Sequence, residues 1–271
     1  MIFRSRFVLL ALLLGFFAAC SGSSEPNSGG SEPDLMILVT NDDGVKAEGI
    51  DALVEALVEN EKNDVFVVAP NGNRSGSGEN SGPSEQCGDL SVEDSATLGG
   101  YPAIAIDGCP ADAVTYGLAI LDEEGRQPDI VLSGINEGQN VSALIGGQIS
   151  GTVGAAKTAV RAGVPGTASS QGIPAAGGEF DFPAGAEAVT SWLAEHRDAI
   201  ADGVQPVAVE NINIPSCSVG SIRGTRTDLP LAPTPEGAVE VQDCESTLED
   251  PTTDVEALNN GFISEGPVPL D

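Results

Sequence analysis

The chain has 271 residues and a formal charge of −30, from 41 acidic against 11 basic side chains, and 41% of it is hydrophobic. So acidic a surface repels nucleic acid polymers and anionic lipid faces, while the length suffices for one sizeable α/β domain with a substantial core. With Lys46, Lys62 and Lys157 as its only lysines, such a chain accommodates a small anionic substrate only where a metal reverses the field locally.

At the amino terminus, Arg4 and Arg6 precede an apolar run from Phe7 to Ala19, too short to span a bilayer as a helix and ending in small residues. Residues 1–19 therefore read as a signal peptide. Cys20, directly after Ala18-Ala19, resembles the lipobox cysteine of bacterial lipoproteins, with Phe17 in place of the usual aliphatic residue. The resemblance implies an exported protein held to the membrane at the cell envelope by a lipid on Cys20. Residues 20–34, rich in Ser, Gly, Pro and acid, cannot bury apolar area and form a flexible tether. One domain then occupies 35–271. Its four cysteines, Cys87, Cys109, Cys217 and Cys244, are even in number, as expected in an oxidising compartment. Three pairings are open; Cys87–Cys109 with Cys217–Cys244 is favoured because each closes a local, loop-rich segment. No pair has C-x-x-C spacing, which argues against a soft-metal site.

The first strand is Met36 to Val39, an unbroken apolar run of the kind buried on both faces of a sheet. It stops at Thr40-Asn41-Asp42-Asp43-Gly44. Adjacent carboxylates at the carboxyl end of a buried strand repel each other unless a cation or protons compensate, so Asp42 and Asp43, with Asn41 beside them, make a candidate hard-cation site. A plain turn and helix cap is the competing reading. Ile50, Leu53, Val54, Leu57 and Val58 then mark one helix face. Asp64 to Pro70 is a second buried strand, completing a βαβ unit with parallel strands. Asn71 to Gly82 is a glycine- and serine-rich loop that lacks both the dinucleotide and the P-loop signatures. Pro83 to Gly100 is an irregular or hairpin excursion, and Tyr101 to Asp107 a strand.

Pro110 starts a helix with Asp112 in its first turn. Asp129 to Ser133 is the next strand, breaking into a polar loop, Gly134 to Asn140, that Gly147 to Gly151 continues. Thr152 to Ala162 is helical, and its start at Ser150-Gly151-Thr152 offers free N–H groups and a positive dipole end to a phosphate. Pro165 to Ser169 is a strand, Ala184 to Arg197 a helix burying Val189, Trp192 and Leu193, and Val207 to Ile214 another strand. His196, the single histidine, reads as an exposed residue near a helix C-terminus rather than a general acid or base. Beyond Ile214 the chain is proline-rich and acidic up to Thr253, with a short helix and a closing strand in the tail.

Three strand ends thus carry polar loops: Asp42-Asp43, Arg74-Ser75-Gly76 and Ser133 to Asn136. In a parallel sheet these share one rim, where carboxylates, a hydroxyl and an amide oxygen suit Mg2+ or Mn2+. A metal beside an anion-binding helix start is equipment for phosphoester hydrolysis. Here the residues resemble the SurE family of survival-protein nucleotidases. ILVTNDDGVKAEGIDAL is similar to its opening motif, VVAPNGNRSGSG to its second, PDIVLSGINEGQN to its third and SGTVGAA to its fourth, while NINIP and TTDVEALNNGFIS resemble later segments.

The resemblance covers essentially all of 35–271. It implies a SurE-like, three-layer Rossmann-like α/β fold with a mostly parallel sheet and a less regular C-terminal region. It further implies a divalent-metal-dependent phosphatase of nucleoside 5′- and 3′-monophosphates, forming a homodimer. By the same resemblance Asp42, Asp43, Ser75 and Asn136 hold the metal, Asp42 or Asp43 manages the proton, and Asn41, Asn140, Ser150, Gly151 and Thr152 meet substrate. The sequence departs from the family at Glu79 and Glu137, where histidines are frequent, and at Ile149, where an aromatic is usual. Two gained carboxylates near a phosphate site motivate the alternative of a non-catalytic nucleotide- or metal-binding lipoprotein on the same fold.

Overall fold

The structure is a computed structural model, and the residues it describes are 34–271. The expected signal segment, Cys20 and all of the tether except Asp34 lie outside the described residues. The central strand, β1 (Leu35–Thr40), pairs in parallel with β2 (Asn63–Pro70) on one side and β5 (Ile130–Glu137) on the other. Beyond β2 lie β4 (Pro102–Ile106), parallel, and β3 (Val92–Ala96), antiparallel. Beyond β5 the sheet continues through β6 (Gly166–Gln171), β7 (Val209–Ile214), β9 (Ile263–Val268) and the two-residue β8 (Thr225–Arg226), giving nine strands in the order β3-β4-β2-β1-β5-β6-β7-β9-β8. The fold is therefore the expected α/β architecture with a mostly parallel sheet.

Alternation along β1 divides the core. Leu35, Ile37 and Val39 pack with α1 (Glu48–Val58) and α4 (Phe182–Ala201) on one face, and Leu38 packs with α2 (Pro110–Glu123) and α3 (Gly151–Arg161) on the other. This makes the three layers. The apolar stripe of α1 buries Ile50, Leu53, Val54 and Leu57 as its spacing demands, but Val58, in the last turn, is exposed. The chain leaves β1 toward β2 and later returns to β1's other side as β5, so a topological switch point lies between β1 and β5, where open α/β sheets place their ligands.

The segment before α3, expected as loop, is a π-helical stretch, Ser142–Ile149. His196 is half-buried and inside α4 rather than near its end; its ring stacks on Trp192 and its Nδ1 lies 2.8 Å from the Trp192 carbonyl. The irregular C-terminal region packs through Ala232, Ala238, Val255 and Leu258 against Val141. Asp254, which opens α5 (Asp254–Asn259), accepts the N–H groups of Ser142 and Ala232, each at 2.7 Å, so this region steadies the approach to α3. The disulfides are Cys87–Cys109 and Cys217–Cys244, closing separations of 22 and 27 residues; loops of this size are worth about 3 kcal/mol each by unfolded-state entropy.

On β7, burial first and then the charges of Glu265 and Asp228 push Glu210 up to about 7 from 4.5. Such a group favours the folded state fully below its ordinary value and loses that contribution as pH rises through about 7. Glu210→Gln should therefore raise the melting temperature at pH 8 by about 2–4 °C, for a partly exposed group worth on the order of 1 kcal/mol. The gain should vanish in melting curves recorded at pH 4, where the wild-type side chain is also neutral.

Candidate functional site

Asp42 and Asp43 leave the carboxyl end of β1 at the switch point. Gly44, at φ +109°, turns the chain there, and a Cβ on it would lie 3.0 Å from the Gly72 backbone in the loop after β2. Asn41 locks this turn: its Oδ1 accepts from the Gly44 N–H at 3.1 Å and its Nδ2 donates to the Gly44 carbonyl at 2.9 Å. Both ends of Asn41 are thus engaged within the turn, a capping role familiar for asparagine. The Arg74 N–H donates to the Asp42 carbonyl at 2.6 Å, docking the second loop against the first. Ser75 follows Arg74, exposed, its N–H bonded to Asn73 Oδ1.

The two carboxylates have different surroundings. Asp42 is buried at the first turn of α3, where Thr152 Oγ1 donates to its Oδ1 at 2.7 Å and the Gly151 and Thr152 amides face it. Burial raises its pKa, and those donors oppose the rise. Asp43 is half-buried; Oδ2 accepts the Glu137 N–H at 2.9 Å and Oδ1 accepts Asn73 Nδ2 at 3.1 Å. Burial, then the Asp42 charge, then the Glu137 carboxylate push Asp43 up to about 7. Among the described residues no lysine or arginine is bonded to either. Arg74 is spent on Asp107 and the Gly108 carbonyl, and Lys157 donates to the Gly147 carbonyl.

Asn136 arrives from β5, whose register with β6 shifts between Ser133 and Asn136. Such an irregularity re-aims side chains at a strand end. Its Nδ2 is held by the Gly138 carbonyl. Asn140 is buried beneath α3's first turn, with Nδ2 donating to Ser170 Oγ at 2.9 Å and to Thr152 Oγ1 at 3.4 Å. Asn213 and Asn211 of β7 clamp its backbone at 2.7 and 2.8 Å. Ser150 caps α3, its Oγ accepting the Val153 N–H at 3.0 Å. Gly151 is where close approach matters: a Cβ there would sit 2.5 Å from Ser77 Oγ and 2.9 Å from Asp42 Oδ2. The structure thus joins Asp42, Gly151, Thr152 and Asn140 in one hydrogen-bonded unit, with Asp43 and Glu137 at its mouth.

Three hydroxyls given no ligand role from the sequence line the same end of the sheet. Thr40 Oγ1, Ser133 Oγ and Ser77 Oγ are buried without a hydrogen-bond partner; Thr40 and Ser133 are register partners in β1 and β5. Thr40 and Ser133 each close an apolar run in the sequence, whereas Ser77 lies in the loop after β2. Buried polar atoms without partners are rare and mark sites that something else completes. Two carboxylates of raised pKa, amide oxygens and spare hydroxyls form a hard-oxygen donor set that fits a divalent cation such as Mg2+ or Mn2+. The Glu79 departure also has a structural account: it pairs with Arg161 at 2.8 Å and lies 3.9 Å from Lys157, both on α3.

A nine-stranded α/β sheet with paired carboxylates at its switch point, set against a helix start, defines an open-sheet α/β protein with its candidate site at the switch point. The family model described as "Survival protein SurE" matches residues 37–231. A protein named 5′-nucleotidase SurE from Chloroflexus aggregans is 35% identical over 251 residues, covering 88% of this chain and 94% of that protein. Its namesake from Deinococcus radiodurans is 38% identical over 248 residues, covering 87% of each. The crystal structure of the SurE protein from Aquifex aeolicus superposes with a TM-score of 0.66 at 29% identity, over 87% of this chain and 94% of that one. The chain belongs to the SurE family.

The Gly151 contact yields a direct test. Gly151→Ala should displace α3's first turn from Asp42 and lower phosphate release from nucleoside monophosphates by about 10²-fold, the scale of a misplacement near 1 Å. Circular dichroism and melting curves close to wild type would accompany it; undiminished turnover would show that the contact is not needed.

Proposed function

We propose that the chain hydrolyses nucleoside 5′- and 3′-monophosphates to nucleoside and phosphate, using Mg2+ or Mn2+ held by Asp42, Asp43, Ser75 and Asn136. The observation that carries this reading is the neighbouring Asp42–Asp43 pair, desolvated and without a cationic partner among the described residues, in a chain of the SurE family. When bound, a divalent cation supplies charge neutralisation and polarisation of a phosphoryl oxygen and a water. The chain's own groups do the rest. Thr152 and the first turn of α3 fix Asp42, while Asn140 fixes Thr152. Asp43, more exposed and held by Asn73 and the Glu137 N–H, is the carboxylate free to exchange a proton with water or leaving group. Glu79, neutralised by α3's cations, adds little repulsion; Glu137 stays exposed beside Asp43 and sets how much negative charge the substrate meets. Phosphate release across a nucleotide panel should disappear with chelator, return with Mn2+ or Mg2+, and fall about 10²–10⁴-fold in Asp43→Ala. Calorimetry showing nucleotide binding with no phosphate release would replace this reading with the binding-only one.

We further propose an exported, lipid-anchored homodimer. Arg4, Arg6, the apolar run to Ala19, Cys20 and two disulfides support export and anchoring; the dimer rests on family resemblance. Expressed in a bacterial host, the full chain should partition into detergent, and Cys20→Ser should move it to the aqueous phase. Equal partitioning of the two would remove the anchor.

A further inference from the structure

Residues 73–75 of the loop after β2 meet the carboxylate turn, and they are tied in different directions. The Arg74 N–H donates to the Asp42 carbonyl at 2.6 Å. Its side chain points away, to Asp107 and the Gly108 carbonyl, beside the Cys87–Cys109 disulfide. Asn73 reaches inward. Its Nδ2 donates to Asp43 Oδ1 at 3.1 Å, and its Oδ1 accepts the Ser75 N–H at 3.0 Å. One amide thereby joins two of the residues expected to hold the cation, Asp43 from the turn after β1 and Ser75 from the loop after β2.

This amide sits only one way round. A backbone N–H is a donor only and an ionised carboxylate an acceptor only, so exchanging O and N would break both bonds, each of ordinary length. On the other side of Asp43, Oδ2 accepts the Glu137 N–H at 2.9 Å. Each carboxylate oxygen thus has one donor and keeps a further lone pair. The carboxylate plane is fixed while acceptor sites remain for a cation.

Residue type matters here. A lysine or arginine at 73 would hold Asp43 while placing positive charge on it, in competition with a metal ion, and a carboxylate there would repel it. An amide orients Asp43 without cancelling its charge, as groups behind metal ligands do. The plainer role is an Asx turn, in which asparagine bonds the N–H two residues on and shapes its own loop. That accounts for the Ser75 bond alone. The bond to Asp43 spans 30 residues of sequence and belongs to no turn.

We propose that Asn73 is a positioning residue for the hydrolysis, holding the Asp43 carboxylate and Ser75 in the mutual arrangement a divalent cation requires. This role rests on the metal-dependent hydrolase reading given above.

Two measurements on the full chain test it: Mn2+ binding by calorimetry without nucleotide, and phosphate release from adenosine 5′-monophosphate at saturating Mn2+. Asn73→Ala should weaken Mn2+ binding at least about tenfold, and lower kcat about tenfold with KM changed less than about threefold, the low end for losing a group that orients a metal ligand. Asn73→Gln, with the same amide on a longer arm, should recover part of both losses. Asn80→Ala is the loop control, since Asn80 Nδ2 donates to Gln86 Oε1 at 2.8 Å, away from the site. It should leave both quantities within about twofold of the unaltered chain. Equal losses in Asn73→Ala and Asn80→Ala would reduce the effect to loosening of the loop and overturn the positioning role. Asn73→Leu, close to asparagine in shape, makes the same comparison where the alanine variant fails to fold. An unaltered chain that neither binds Mn2+ nor releases phosphate removes the hydrolase reading and this role together. An active unaltered chain matched by Asn73→Ala removes this role alone.

Discussion

Two carboxylates on consecutive residues, taken out of water at the end of the central strand, are the constraint around which this molecule is arranged. Asp42 and Asp43 raise each other's cost, and burial raises it further. The surrounding structure answers with donors and no cationic side chain: the Thr152 hydroxyl, the first amides of α3, the Glu137 N–H and Asn73. Those donors come from two connections, the segment from β5 to α3 and the loop after β2, which a parallel sheet delivers to one rim. Gly44 and Gly151 have no side chain because Gly72, Ser77 and Asp42 occupy the space one would need.

The supports behind this arrangement are non-local. Asn140 steadies Thr152 and is itself held by Ser170, Asn211 and Asn213, so β6 and β7 share in placing Asp42. The irregular C-terminal region contributes through Asp254, which fastens the π-helical stretch leading into α3. A region that looks like filler in the sequence is thus part of the scaffold.

Much of the fold was legible because its signals are local. Unbroken apolar runs gave β1, β2 and β5, 3.6-residue spacing gave α1, and carboxylates closing an apolar run flagged Asp42 and Asp43. Ser142–Ile149 was hidden because a π-helical hydrogen-bond pattern has no hydrophobic period of its own, and Gly146 and Gly147 read as loop. Thr40 and Ser133 stood at the ends of apolar runs but gained no role from the sequence, because only the register of β1 with β5 shows them side by side. Asn41 and Ser150 sit in the expected motifs, but their side chains are engaged in locking a turn and capping a helix. The closeness of Glu210 and Glu265 was beyond sequence reading altogether, since the two are far apart in the chain and meet only through antiparallel pairing of β7 with β9.

The direction of β1 has a consequence for where changes are felt. The polypeptide enters the sheet at Leu35 and reaches the carboxylate pair after one six-residue strand, a run of about 20 Å at 3.3 Å per residue. Leu35 therefore lies at the rim of the sheet opposite Asp42 and Asp43. β2 and β5 run the same way as β1, so Asn63 and Ile130 share that far rim, and changes made there act on the carboxylate pair only through the full length of a strand.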